Sequence, residues 1–154
     1  MIFRLLLLVM LLFAIGCSDL INESELESKR GLLYNPKNSK PYSGKVYKLY
    51  STGSKMREGM FDLGAIDGSY TYYDNEGSII NPIEENMLDL KDGKKYFPGT
   101  DREYWGLAYG LYQTGETSYE VFYEGGKLSS EYTYFKLDGS VKDPIFMSLL
   151  VRRG

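Results

Sequence analysis

Two hydrophobic patterns divide the chain. The first is an unbroken apolar run, Leu5 to Ile15, with Arg4 before it and Gly16-Cys17 after it. The second starts at Pro41 and consists of short runs such as Lys45-Val46-Tyr47-Lys48-Leu49-Tyr50 and Gly68-Ser69-Tyr70-Thr71-Tyr72-Tyr73. These runs are aromatic and β-branched and lack a helical period, so they read as strands. Each stops at a turn containing glycine: Ser51-Thr52-Gly53, Asp62-Leu63-Gly64 and Asp74-Asn75-Glu76-Gly77. A glycine at the end of a three-residue loop supplies the left-handed residue that closes a hairpin with a bulge. The pattern predicts an all-β fold of repeated antiparallel hairpins, an extended single-layer meander sheet with two stacked units as its variant.

The spacing of these turns repeats. An aromatic residue precedes each turn glycine by three or four positions: Tyr50 with Gly53, Phe61 with Gly64, Tyr73 with Gly77. A second trio pairs Tyr112 with Gly115, Tyr123 with Gly126 and Phe135 with Gly139. Each member of the second trio lies 62 residues after its counterpart, as do Leu128 after Ile66 and Val141 after Ile79. A common offset over so many positions indicates an internal duplication. Such units stack because one hairpin cannot bury its own apolar face.

The pattern resembles the MORN-repeat-variant family. The resemblance is closest over Lys40-Pro41-Tyr42-Ser43-Gly44-Lys45-Val46-Tyr47, Tyr50 to Gly53, Phe61 to Gly68 and Tyr70 to Gly77. The second trio is looser, with Ser129-Ser130-Glu131 in place of the Asp67-Gly68 step. The resemblance implies a MORN-like β-repeat that binds or scaffolds, with no catalytic residues to carry over. Some members carry an antitoxin label and many are exported lipoproteins.

The first apolar run reads as an export signal, with Arg4 as its basic start. Its 11 residues fall short of the roughly 20 that span a bilayer. Phe13-Ala14-Ile15-Gly16-Cys17 resembles the lipobox of bacterial lipoproteins, with cleavage between Gly16 and Cys17 and acylation (palmitate among the chains) of Cys17, the only cysteine. Ser18 follows Cys17, which favours the outer membrane over inner-membrane retention. The membrane partner is therefore reached through lipidated Cys17. Loss of Arg4 with the leader leaves a net charge of −4, so nothing there draws the body onto anionic lipid.

The organisation expected is a signal peptide over 1–16, lipidated Cys17 with a tether over 17–39, a repeat domain over 40–143 with trios in 40–80 and 106–143, and an apolar tail over 144–154. Within the tether, Asn22 to Arg30 suits a short helix or a solvated linker, and Leu32-Leu33-Tyr34 a start of the fold. Ile80 to Trp105 fits neither trio and reads as a diverged repeat or a loop over the sheet. The tail Ile145 to Val151 reads as a cap on the last sheet edge or a partner-docking strand.

Composition narrows the chemistry. The chain has no His, which removes the usual general base and the Ser-His and Cys-His pairs. One Cys excludes an internal disulfide and zinc clusters. A pI near 5.1 argues against nucleic acid. The carboxylate pairs Glu84-Glu85, Asp101 with Glu103 and Asp74 with Glu76 fall in turns, where acids are normally solvated, and Asp89 to Gly93 is a poor calcium loop because Lys91 interrupts it. The expectation is a non-enzymatic envelope protein, without cofactor or metal, that binds a protein partner; the alternative is an antitoxin- or immunity-like protein. The tyrosine rows serve either as packing or as an exposed aromatic surface, since Tyr is enriched at interfaces.

Overall fold

The computed structural model describes residues 20–130 and 132–142, and its strands run in chain order as β1 (Ile21–Asn22), β2 (Glu27–Lys29), β3 (Leu32–Asn35), β4 (Lys40–Pro41), β5 (Gly44–Leu49), β6 (Lys55–Asp62), β7 (Ala65–Tyr73), β8 (Ile79–Ile80), β9 (Ile83–Glu84), β10 (Asp89–Lys91), β11 (Lys94–Tyr96), β12 (Gly106–Leu111), β13 (Thr117–Glu124), β14 (Lys127–Leu128) and β15 (Thr133–Tyr134). Two single-turn 3-10 segments, Glu23–Glu25 and Glu85–Met87, complete it. The fold is all-β and built on antiparallel hairpins, β5–β6–β7 and β12–β13. The strands do not form one continuous sheet. They separate into a five-stranded sheet, β1-β5-β6-β7-β8, a second of β14-β13-β12-β9 with β15 on β13, and two small ones, β2-β3-β4 and β10-β11.

The 62-residue offset holds through the backbone and reaches further toward the N-terminus than the turn pattern does. Ile21 pairs parallel with Val46, and Ile83 with Ala108. Tyr34 pairs with Pro41, and Tyr96 bridges Glu103. The 3-10 turns also lie 62 apart. Each unit therefore starts about 20 residues earlier than the aromatic–glycine pattern marks. This corrects two expectations. Residues 21–39 are not a tether but β1 to β3 of the first unit, and the 80–105 segment is the matching start of the second. Neither contains a short helix beyond its 3-10 turn, because Leu26 and Leu88 are drawn into the cores and hold the chain extended around them. The calls on Gly16, Cys17 and the tail from Pro144 lie outside the described residues.

The two cores are built from equivalent positions: Ile21, Leu26, Tyr42, Val46, Phe61 and Tyr70 in one, Ile83, Leu88, Tyr104, Ala108, Tyr123 and Tyr132 in the other. Volume is traded across a register pair. Val46 opposes Gly59 in the first unit, while Ala108 opposes Val121 in the second, which keeps each core filled.

The β6–β7 and β13–β14 turns fasten each unit. Leu63-Gly64 and Gly125-Gly126 all have positive φ, the two-residue loop whose twist matches the strands, rather than a three-residue loop with a bulge. The Gly64 N–H donates to Tyr42 O and the Leu33 N–H to Gly64 O, both at 2.8 Å. The same links join Gly126 to Tyr104 (2.9 Å) and Lys95 to Gly126 (2.8 Å). A Cβ on either glycine would sit within 2.8 Å or less of the backbone oxygen of Leu33 or Lys95, so only glycine fits.

The units stack back to face. Along β13, Tyr119, Val121 and Tyr123 share one side and Glu120, Phe122 and Glu124 the other. The first side lines its own core. The second lies on the core side of the first sheet: Phe122 is 6.1 Å from Tyr72 and the Arg57 guanidinium is 5.5 Å from the Phe122 ring. Trp105 meets Tyr50 edge to face at 5.2 Å, and Glu124 accepts from the Ser51 N–H at 3.2 Å.

Candidate functional site

Stacking leaves one aromatic face of the second sheet half exposed. Its members, Tyr119 on β13, Tyr132 and Tyr134 on β15, touch one another. Tyr119 is 5.3 Å from Tyr132 and 6.0 Å from Tyr134, and the Tyr132 and Tyr134 rings stack at 5.9 Å with 24° between planes. Strand alternation and the β13–β15 register, Tyr119 opposite Tyr134, place them there. They occupy the positions of Arg57, Tyr70 and Tyr72, which in the first unit lie under Phe122.

A carboxylate anchors this face from below. Glu85, at the start of its 3-10 turn, accepts from the hydroxyls of Tyr119 at 2.7 Å, Tyr123 at 2.5 Å and Tyr132 at 3.3 Å, with Lys95 Nζ at 3.8 Å. Burial alone would push its carboxyl up. The Tyr123 and Tyr119 bonds and the Lys95 charge outweigh it and hold Glu85 below the ordinary glutamate range. Conversely, burial first and then the bond to Glu85 raise the Tyr119 and Tyr123 hydroxyls. In the first unit the same carboxylate position, Glu23, instead takes a forked pair from Arg57, with NH2 at 2.8 and 2.9 Å. One arrangement thus presents a guanidinium and the other a tyrosine cluster around a common carboxylate. Gly110 makes room for the latter, since a Cβ there would lie 2.1 Å from the Tyr119 ring.

A second feature is a cleft of about 300 Å³ between the units, lined by Asp74, Phe97, Arg102 and Trp105 among others. Asp74 is only 3% exposed and accepts from the backbone N–H groups of Glu76 and Ser78. Arg102 lies 3.6 Å from Asp74 and covers the Phe97 ring at 4.1 Å. The acids of the cleft are engaged in holding the fold: Asp101 pairs with Lys91 at 2.9 Å and Glu103 with Lys94. Asp89 to Gly93 forms the β10–β11 hairpin, and Asp89 accepts from the Gly99 N–H at 2.8 Å. Among the described residues no group of three or more Cys, Asp or Glu side chains is placed to hold a metal ion.

The six turn glycines, Gly53, Gly64, Gly77, Gly115, Gly126 and Gly139, all adopt positive φ. Of the aromatics that precede them, Tyr50, Phe61 and Tyr123 are buried, while Tyr73, Tyr112 and Phe135 are half buried. Tyr50 and Tyr112 play one part in both units, each hydroxyl donating to a strand-end carbonyl, Tyr73 O at 2.7 Å and Phe135 O at 2.6 Å. The expectation that turn acids are solvated fails at Asp74 and Glu85, because both turns are folded against a neighbouring sheet. Sequence reading did not single out Glu85 as a tyrosine acceptor, nor Arg57 and Tyr119 as equivalents. Carrying the 62-residue offset back to Glu23 would have paired them. Comparison of the chain with protein-family models, with curated proteins and with solved structures returns no match.

Proposed function

We propose that this chain is a non-enzymatic, lipid-anchored envelope protein, cleaved before Cys17, whose MORN-like β-repeat body binds a protein partner outside the cytoplasm. The observation that carries the reading is the half-exposed tyrosine face of the second sheet, Tyr119, Tyr132 and Tyr134. Rings of this kind bury large area at low entropic cost and dominate protein contacts. The lipobox-like Phe13 to Cys17 and the outer-membrane-favouring Ser18 support the location. Among the described residues no helix is long and apolar enough to cross a membrane, so attachment is assigned to the acyl chains on Cys17. The resemblance to repeat proteins with an antitoxin label fits the same body only if the neutralised partner is itself in the envelope, as for an immunity protein.

The test is cross-linking in intact cells, comparing the full chain with a leaderless form and with Tyr119→Ser/Tyr134→Ser. Partners captured by the exported chain alone, and lost several-fold in the double variant, are the expected result, together with loss of acyl labelling in Cys17→Ala. Capture of a cytoplasmic toxin by the leaderless form, with restored growth, would overturn the envelope reading in favour of an antitoxin.

A further inference from the structure

The stacked units show what covers a face of this kind. The core side of the first sheet takes Trp105 and Phe122, with Leu107, opposite Phe122 in register, also buried. The equivalent positions on the back of the first sheet are Ser43, Lys45 and Met60, which are exposed. That back is a polar cap of the kind terminal repeats carry, so a second copy brings no apolar row to the tyrosine face. The chain itself does. Its described part ends at Lys142, whose N–H donates to Tyr134 O at 2.8 Å, so the backbone leaves the body at the edge of that face. Three residues on begins Ile145-Phe146-Met147-Ser148-Leu149-Leu150-Val151. Extended, seven residues reach ~23 Å, enough to pass over the second sheet's neighbouring strands.

We propose that Ile145–Val151 is the resident cover of Tyr119, Tyr132 and Tyr134, taking the place that Trp105 and Phe122 take on the first unit. A partner using that face must then displace it. The inference rests on the back-to-face arrangement and stands apart from the partner reading.

Tyrosine nitration by tetranitromethane, mapped by peptide, tests it on the pure Cys17→Ser chain from residue 17, with and without residues 143–154. Removal is expected to raise modification of Tyr132 and Tyr134 at least five-fold and leave Tyr47, on the opposite end, unchanged. Should the shortened chain fail to fold, the full-length Phe146→Ser/Leu149→Ser/Leu150→Ser variant decides, with the same expected rise and an unaltered circular dichroism spectrum. Equal modification in all forms would overturn the proposal. So would protection that vanishes on dilution, which would assign the cover to a second copy. Partner cross-linking is a separate measurement, so either proposal can fail alone.

Discussion

Glu85 shows how one side chain is set by its neighbours. Its carboxyl is held below the ordinary glutamate value of about 4.3, so its folded form favours the charged state. The stabilisation is complete above that value and is lost as pH falls through the lower, folded value. Glu85→Gln keeps the shape but removes the charge that three tyrosine hydroxyls and Lys95 address. A loss of about 1–3 kcal/mol is expected by urea denaturation at pH 7. The difference from wild type should shrink below about pH 4, where the wild-type carboxyl is also neutral.

At the level of elements, the two units differ most where their surroundings differ. Trp105 and Ser43 hold the same place before the first long strand of each unit, yet Trp105 packs on Tyr50, which is 3% exposed, and Ser43 faces solvent. Trp105→Ala is expected to cost about 3 kcal/mol, the lower end for a buried aromatic because Trp105 is half buried. Ser43→Ala loses its hydroxyl bonds to Asp62 and to the Leu63 N–H, both on an exposed rim, and is expected to cost no more than about 1 kcal/mol. Hydrogen exchange on the two variants should show faster opening of β7 and β12 only in the first.

Across the molecule, tyrosine is the residue on which the cores and the unit interface converge. Burial raises the hydroxyls of Tyr50, Tyr104, Tyr119 and Tyr123, and pushes Tyr72 up to about 12. Because these values lie above the unfolded one, the fold favours neutral phenols. That contribution is full below about pH 10 and falls as pH rises toward the folded values. Phenolate absorbance should therefore rise in two stages, exposed tyrosines near pH 10 and the buried set only together with loss of the strand signal in circular dichroism. A single smooth titration with strand signal intact would contradict the burial of this set.

What the sequence determines by itself is local: the turns, the hairpin strands between them and the duplication. Glycines at positive φ and aromatic runs are readable because each constrains its own few residues, and the same constraint recurs 62 positions later. Tertiary structure decides what depends on distant partners. β1 and β9 are two-residue strands whose only reason to be strands is a parallel partner, Val46 or Ala108, 25 residues away, so no window around Ile21 or Ile83 reveals them. The units' true starts were hidden for that reason. Glu85 looks like a surface acid until β13 and the chain at Tyr132 bring three hydroxyls over it. The exposed tyrosine face, finally, belongs to stacking alone. Tyr70, Tyr72, Tyr132 and Tyr134 read alike in sequence, and only the layer lying on the first pair separates packing from surface.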